Sequence, residues 1–250
     1  MGSPVLDAIR SLEDANDRIS WISGYETEVE VVAAATQIVE YFGLQTFVFG
    51  ALLRSGEREH YRYLVGCSLE WCYLYNQNKW YAIDPLIDYA LKNTSPALVS
   101  EIPLSSPGQE RLMAQAAAHG FRSGVVVPAH SPSAARIGIL YLGTGEGPER
   151  AHECILKHRN LMRAFGLELL EWWDAKLRET GLEDLDLDEL DLDLLAKAEE
   201  HATAEEAARE LGVTLSRVKS RYERLVRKLE VPNKRNAVEK AVAMGLIKRS

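Results

Sequence analysis

The sequence has no run of about 18 consecutive apolar residues, the length a helix needs to cross a bilayer, so no membrane span is expected. Its opening, Met1-Gly-Ser-Pro-Val-Leu-Asp7, has neither the charged nor the apolar region of a secretory signal, and the expected location is the cytoplasm. Cysteine is scarce: Cys67, Cys72 and Cys154 cannot all pair internally. Cys67 and Cys72 are separated by four residues rather than the two of a zinc motif, so no metal or other cofactor is expected. Free, buried or half-buried thiols in a reducing compartment are the expectation. Nucleophile grammar is missing as well. His119, His130, His152 and His158 accompany several Ser and Cys, but Ser123-Gly124 lacks a nucleophile-elbow context, which argues against an enzyme acting on small amides or lactones. Positive charge is in deficit, with 29 Lys/Arg against 37 Asp/Glu and a net charge of -8. That total alone disfavours nucleic acid as a partner.

The distribution of charge reverses that inference. From Glu205 to Ser250 there are 12 Lys/Arg and 6 Asp/Glu, whereas Glu171 to Glu200 holds 3 basic and 12 acidic residues. Phosphate binding draws on local positive charge through counterion release. Within the basic region, Thr203 to Leu211 reads as a short helix with Ala207, Ala208 and Leu211 on one side. Gly212 stands where the chain must turn, a position where glycine takes φ > 0 at little cost. Thr214 is placed to cap a second helix, Leu215 to Leu229, in which Val218, Leu225 and Leu229 recur as one buried stripe. Arg217, Lys219, Arg221, Arg224, Arg227 and Lys228 project elsewhere, opposed within that helix by Glu223 alone. A small residue at the crossing, a turn glycine and a basic second helix are the parts of a helix-turn-helix that enters a major groove.

At 250 residues, with 46% hydrophobic content and five Trp, the chain can hold two small domains with buried cores. Two amphipathic helices are expected between Pro4 and Phe42, broken near Trp21-Ile-Ser-Gly24. Thr46–Leu53 and Tyr61–Val65 read as strands about a turn at Ser55-Gly56, and Gly124–Pro128 and Arg136–Leu142 as a second pair joined by the turn-like His130–Ala135. Helices are expected at Glu70–Gln77, Pro85–Lys92 and Gln109–His119, then a long one from Glu149 to Arg178 whose apolar stripe is Leu161, Phe165, Leu169 and Trp172. This order predicts an α+β chain: an N-terminal α/β/α sandwich with an antiparallel sheet, of the kind that holds a small ligand between sheet and helices, then an all-α four-helix domain. The domains are expected at 1–178 and 190–250. Between them the alternating, acidic Gly181–Asp193 reads as a linker (179–189) running into a helix near Leu190.

The tail, with Val218-Lys, Arg227-Lys-Leu-Glu-Val231, Asn236-Ala-Val238 and Met244-Gly-Leu-Ile247, resembles the LuxR-type helix-turn-helix. In that family the third of four helices reads DNA and the fourth, here Lys234 to Met244, supports dimerisation. Further forward, Trp71, Tyr75 and Asp84-Pro85, together with His119 to His130, resemble the autoinducer-binding domain of LuxR-type quorum-sensing receptors. The two resemblances imply a quorum-sensing transcription regulator that binds double-stranded DNA as a homodimer and senses an N-acyl homoserine lactone or a related amide. Asp84 would accept the amide N–H, the Trp71 indole would donate to the lactone carbonyl, and the Tyr75 hydroxyl would donate to the amide carbonyl or close one side. Tyr63, Leu86, Val99, Val126 and Tyr141 complete the expected ligand set. Thr214, Arg217, Lys219, Arg221 and Arg224 form the expected DNA set.

The chain departs from the family pattern in ways that predict a remodelled pocket. Val99 stands where a second Trp is common, Cys67 where some members have Tyr, Leu86 where some have Thr, and Tyr141 where a small Ser can bond the ligand; Val126 fills another often polar site. The DNA module opens with Leu187-Asp-Glu-Leu-Asp191 instead of a Leu-Thr-x-Arg-Glu-like sequence, with Asp191 the one stand-in for the Glu, and His201 takes a usual Gly position. An acidic lead-in near DNA would repel phosphates. It motivates a second reading, a regulator that inhibits a related receptor by forming heterodimers with it.

Overall fold

The computed structural model describes residues 8–55, 58–130 and 136–247. The chain divides into two compact units, the first made of most of the residues up to Trp172 and the second chiefly of those from Trp173 onward. In the first unit, α1 (Leu12–Ser20) begins at Ser11, whose side chain accepts the Asp14 N–H, and α2 (Glu28–Tyr41) begins at a reciprocal capping box between Thr27 and Glu30. Five strands follow: β1 (Thr46–Ser55), β2 (Arg58–Gly66), β3 (Ala97–Leu98), β4 (Ser123–His130) and β5 (Arg136–Thr144). They form one sheet in the order β2-β1-β5-β4-β3. The β3–β4 and β4–β5 pairs are antiparallel, with Val126 opposite Tyr141 and Val127 opposite Leu140.

Strand β4 shows why this sheet lies between two helical layers. Successive residues of a strand point to opposite faces, yet Val125, Val126 and Val127 are all fully buried, so both faces are covered. One face takes α6 (Pro148–Asp184), where a Cβ placed on Gly166 would touch Ala129, Val127 and Leu140. Phe42 at the end of α2 packs on Phe165 of α6, with ring centroids 6.2 Å apart. The other face takes α3 (Leu69–Gln77), α4 (Pro85–Lys92) and α5 (Pro107–Ala118), with Leu86 and Ala90 of α4 clustered against Val126, Ile137 and Ile139. The α/β/α sandwich expected from sequence is therefore present.

Its details differ from expectation in the lengths of the strands, in one added strand and in the long helix. The strands run longer than read, and the short β3, two residues with no alternation to betray it, was not foreseen. Gly56 of the expected turn, and 131–135 of the expected link, lie outside the described residues. Helix α6 continues past Arg178 to Asp184, and its stripe is buried at Met162, Phe165, Leu169 and Trp172, with Leu161 half-buried beside it.

The second unit contains α7 (Glu189–Glu199), α8 (Ala204–Glu210), α9 (Leu215–Lys228) and α10 (Lys234–Ala243). Leu194, Leu195, Ala207, Val218, Leu225, Leu229 and Ala241 make its core. Tyr222 extends the α9 stripe, and its hydroxyl donates to the Leu194 carbonyl at 2.9 Å. Gly212 has φ +64° and turns the chain between α8 and α9, as its residue type predicted. His201 has φ +64° too, a left-handed conformation that costs a non-glycine residue about 1 kcal/mol, which accounts for the glycine usual there.

The Trp172 indole N–H donates to the buried carbonyl of Tyr25 at 2.8 Å, tying α6 to the segment before α2. Trp172→Phe would strand that carbonyl and remove buried volume. It is expected to lower stability by about 2 kcal/mol, read as a fall in the urea midpoint.

Candidate functional site

The candidate ligand site is a cavity of about 260 Å³ between the sheet and helices α3, α4 and α5. Strand alternation supplies three pairs of its wall: Val48 and Gly50 on β1, Tyr63 and Val65 on β2, Ile139 and Tyr141 on β5. Helix α5 adds Leu112, Met113 and Ala116, and α4 adds Leu86 and Ile87. Ser68 caps α3 by accepting the Trp71 N–H, which fixes the turn from which Trp71 and, one turn later, Tyr75 face the cavity. The Trp71 ring lies among Tyr75, Trp80, His119 and Phe121, with centroids 5.6 to 6.1 Å away. Leu69, Cys72 and Asn76 extend the α3 wall.

Asp84 has two roles. It is the N-cap of α4: its Oδ1 accepts the Leu86 N–H at 2.8 Å, with Pro85 pre-set for the first helical turn. Its Oδ2 accepts the Tyr75 hydroxyl at 2.8 Å. The cap and the cavity carboxylate are thus the same side chain. Burial pushes its carboxyl above the ordinary range, outweighing the opposing bonds from Tyr75 and the Leu86 and Ile87 backbone. Tyr141 stacks on Phe121 with centroids 4.8 Å apart. Its hydroxyl is 3.5 Å from the Phe121 carbonyl, at the weak limit of a hydrogen bond. Burial first, and the charge of Asp84 second, raise its pKa, so it remains a neutral phenol.

Of the residues singled out in the sequence, Trp71, Tyr75, Asp84, Tyr63, Leu86 and Tyr141 come together on this cavity. Val99 and Val126 do not lie in its wall. Val126 is buried on the cavity side of β4, but among Leu86, Ala90 and Ile137, while Val99 packs half-buried on the same cluster. The α5 wall, Cys72 and Asn76 were missed, although the spacing of Leu112, Met113 and Ala116 could have marked a buried face.

The second unit places the basic residues less uniformly than expected. Thr214 caps α9 by accepting the Arg217 N–H, and Arg217 and Lys219 are exposed. Arg221 and Arg224, expected on a DNA face, turn inward instead. Arg221 bonds Asp188 and, at 2.9 Å, Asp191; Arg224 bonds Asp191 as well. Asp188 and Asp191 also form the capping box that starts α7. Asp191 is fully buried, and two guanidiniums are its counter-charges. Arg221 holds the Asp188 carboxyl below its ordinary range. Lys228 similarly bonds Asp186, at 2.9 Å.

Among the described residues, no group of three His, Cys, Asp or Glu is placed to hold a metal ion, and no helix is long and apolar enough to cross a membrane. A sequence profile of the autoinducer binding domain matches residues 27–171, which include all of the cavity wall. The chain belongs to the autoinducer-binding domain family. No curated protein matches it significantly.

Solved structures share the fold of this autoinducer-binding protein at low identity. SdiA in complex with octanoyl-rac-glycerol has a TM-score of 0.66 at 19% identity, covering 93% of this chain and 94% of that one. Escherichia coli SdiA gives 0.66 at 19%, covering 93% and 97%. The N-acylhomoserine lactone dependent LuxR family transcription factor CepR2 from Burkholderia cenocepacia gives 0.53 at 20%, covering 62% and 90%.

Two expectations follow. Asn caps a helix as well as Asp, so Asp84→Asn keeps the α4 start and removes the cost of a buried charge. In the native protein, stability is lost as pH rises from the ordinary carboxylate pKa, about 3.9, through the raised folded value. Urea unfolding of Asp84→Asn should therefore lack this decline, leaving the apo variant as stable as the native protein or more so at pH 7. Asp191→Ala leaves two cations without their buried counter-charge and removes half a capping box. It should destabilise the second unit by about 3 kcal/mol, measured by chemical denaturation.

Proposed function

We propose that this chain is a ligand-responsive transcription regulator of quorum sensing, in which an N-acyl homoserine lactone or related amide fills the cavity and a homodimer binds DNA. The observation that carries this reading is the buried carboxylate of Asp84 on an otherwise mostly apolar wall. An ionised carboxylate only accepts hydrogen bonds. Asp84 accepts from the Tyr75 hydroxyl and the Leu86 and Ile87 backbone, and its two oxygens have room for one further donor, such as an amide N–H. The Trp71 indole supplies a donor for the lactone carbonyl.

The Tyr75 hydroxyl has one proton and directs it to Asp84, so the amide carbonyl needs another donor. Tyr141 fits, since its proton is only weakly engaged. Its ring also takes up part of the cavity's volume. Calorimetry against a panel of acyl homoserine lactones tests this. Micromolar or tighter binding that weakens about tenfold in Tyr141→Phe is expected. No binding to any member would overturn the lactone assignment.

In the second unit α8 and α9 act as a helix-turn-helix, with two copies of α9 about 34 Å apart on a near-palindromic site. The sensor occupies 1–178 and the DNA module 190–250; the intervening 179–189, helical as far as Asp184, joins them in the cytoplasm. With Arg221 and Arg224 engaged, readout falls to Thr214, Arg217 and Lys219. Arg217→Ala should cost at least tenfold on one operator and relax its sequence preference, whereas Lys219→Ala should weaken all sequences alike, in gel shifts at fixed salt.

The inward Arg221 and Arg224 also favour a second reading, an inhibitor that forms heterodimers with a related receptor. Its α9 has fewer cations free for phosphate than its composition suggests. Tight, salt-sensitive DNA binding by the purified homodimer would exclude that role.

A further inference from the structure

Cys67 and Cys72 have no part in the reading above, yet they are neighbours. Their sulfurs are 3.7 Å apart. The contact follows from their positions on α3. With Ser68 as N-cap, Cys67 is the residue before the cap and Cys72 the fourth of the helix. This is the pair that packs together as a hydrophobic staple, and here both members are thiols. Both are half-buried, and Cys72 lines the ligand cavity. Cys154, on α6, is buried.

The geometry points to a redox-active dithiol beside the cavity, with Cys72 in its wall, in which hydrogen peroxide converts Cys67 and Cys72 to a disulfide that repositions the first turn of α3. A disulfide needs its sulfurs about 2.05 Å apart, so oxidation draws them together by roughly 1.7 Å. Cys72 adjoins Trp71 and lies three residues before Tyr75, so the movement falls on the ligand-facing turn.

The two thiols have different roles. A hydrogen bond from the Cys67 thiol lowers the Cys72 pKa to about 7, against the effect of burial. Cys67 moves the other way, chiefly through that same bond and then through burial, and stays protonated. The lowered pKa raises the share of Cys72 present as thiolate, the nucleophilic form. Its sulfur attacks one peroxide oxygen, the O–O bond breaks, and hydroxide leaves, giving Cys72 sulfenic acid. The Cys67 sulfur then attacks the Cys72 sulfur, the S–O bond breaks, and the departing hydroxyl takes the Cys67 proton as water. The first hydroxide takes the proton Cys72 had released. Two thiols and one peroxide thus become one disulfide and two waters.

The test uses the full chain, reduced and then treated with one equivalent of hydrogen peroxide. Free thiols should fall from three to one. The tryptic peptide 63–79, which contains both cysteines, should lose two hydrogens and resist alkylation until dithiothreitol is added. Cys67→Ser should stop at a sulfenic acid on Cys72 that dimedone traps, and Cys72→Ser should leave Cys67 unreacted. A peptide that keeps two alkylatable thiols, or a Cys72→Ser protein that loses thiols as fast as the native one, would overturn the proposal. So would a disulfide that joins two chains.

The effect on the cavity rests on its being the ligand site, and a second readout separates the two ideas. The Kd for octanoyl homoserine lactone should change at least threefold on oxidation, and not in Cys67→Ser. If the reduced protein binds no lactone, the lactone reading fails while the thiol result stands. Trp71 emission, compared with Trp71→Phe, then decides: a shift reversed by dithiothreitol supports movement of α3, and none overturns it.

Discussion

Asp84 is the point at which folding and the proposed ligand recognition meet. Its Oδ1 starts α4 and its Oδ2 holds the Tyr75 hydroxyl of α3, so one carboxylate fixes the relation of two cavity helices. Its position is defined by bonds that exist without ligand. The wall is pre-organised for a donor, and binding need not bear the entropic cost of ordering this group. The same burial makes the charge costly, as the raised pKa records. On the proposed reading, a ligand amide that bonds Asp84 would offset that cost, which would link binding to the stability of the first unit.

The remaining wall is built by ordinary packing. Period-two alternation on β1, β2 and β5 turns β-branched and aromatic side chains and one glycine inward, and α5 closes the cavity with residues that share a helix face. Tyr141 shows how one substitution changes such a wall in two ways. It is stacked against Phe121, which fixes its ring, and its hydroxyl stays near the carboxylate side of the cavity as a neutral donor. Bulk and a hydrogen-bond donor arrive together, where a small residue would bring only a donor.

Much of this could be read from sequence, and the parts that could not have specific causes. The sandwich architecture followed from the strand-like apolar runs Gly124–Pro128 and Arg136–Leu142 and from the stripe of the long helix. Trp71, Tyr75 and Asp84 were legible because the resemblance fixed their spacing. The direction of the Tyr75 proton was not, since it depends on a residue nine positions away. Val99 and Val126 fell outside the wall because a strand residue and its neighbour in a 3-10 turn can share a cluster without sharing a cavity. The inward turn of Arg221 and Arg224 was hidden for a similar reason. A basic helix read alone has no view of an acidic cap some thirty residues earlier.

Two buried carboxylates, Asp84 and Asp191, show how partner chemistry separates recognition from structure. Both cap helices. Asp191 faces two guanidiniums, so its charge is matched within the fold, and removing either kind of partner would expose an uncompensated ion. Asp84 faces a neutral phenol and backbone N–H groups, which stabilise the anion by hydrogen bonding but supply no opposite charge. The acidic opening of the second unit, anomalous when read as a DNA-proximal surface, makes sense as the counter-charge of α9. A matched ion pair leaves little for an incoming molecule to add. A carboxylate held only by neutral donors keeps acceptor capacity in a cavity that bulk water does not dominate, and there an added amide donor counts for most.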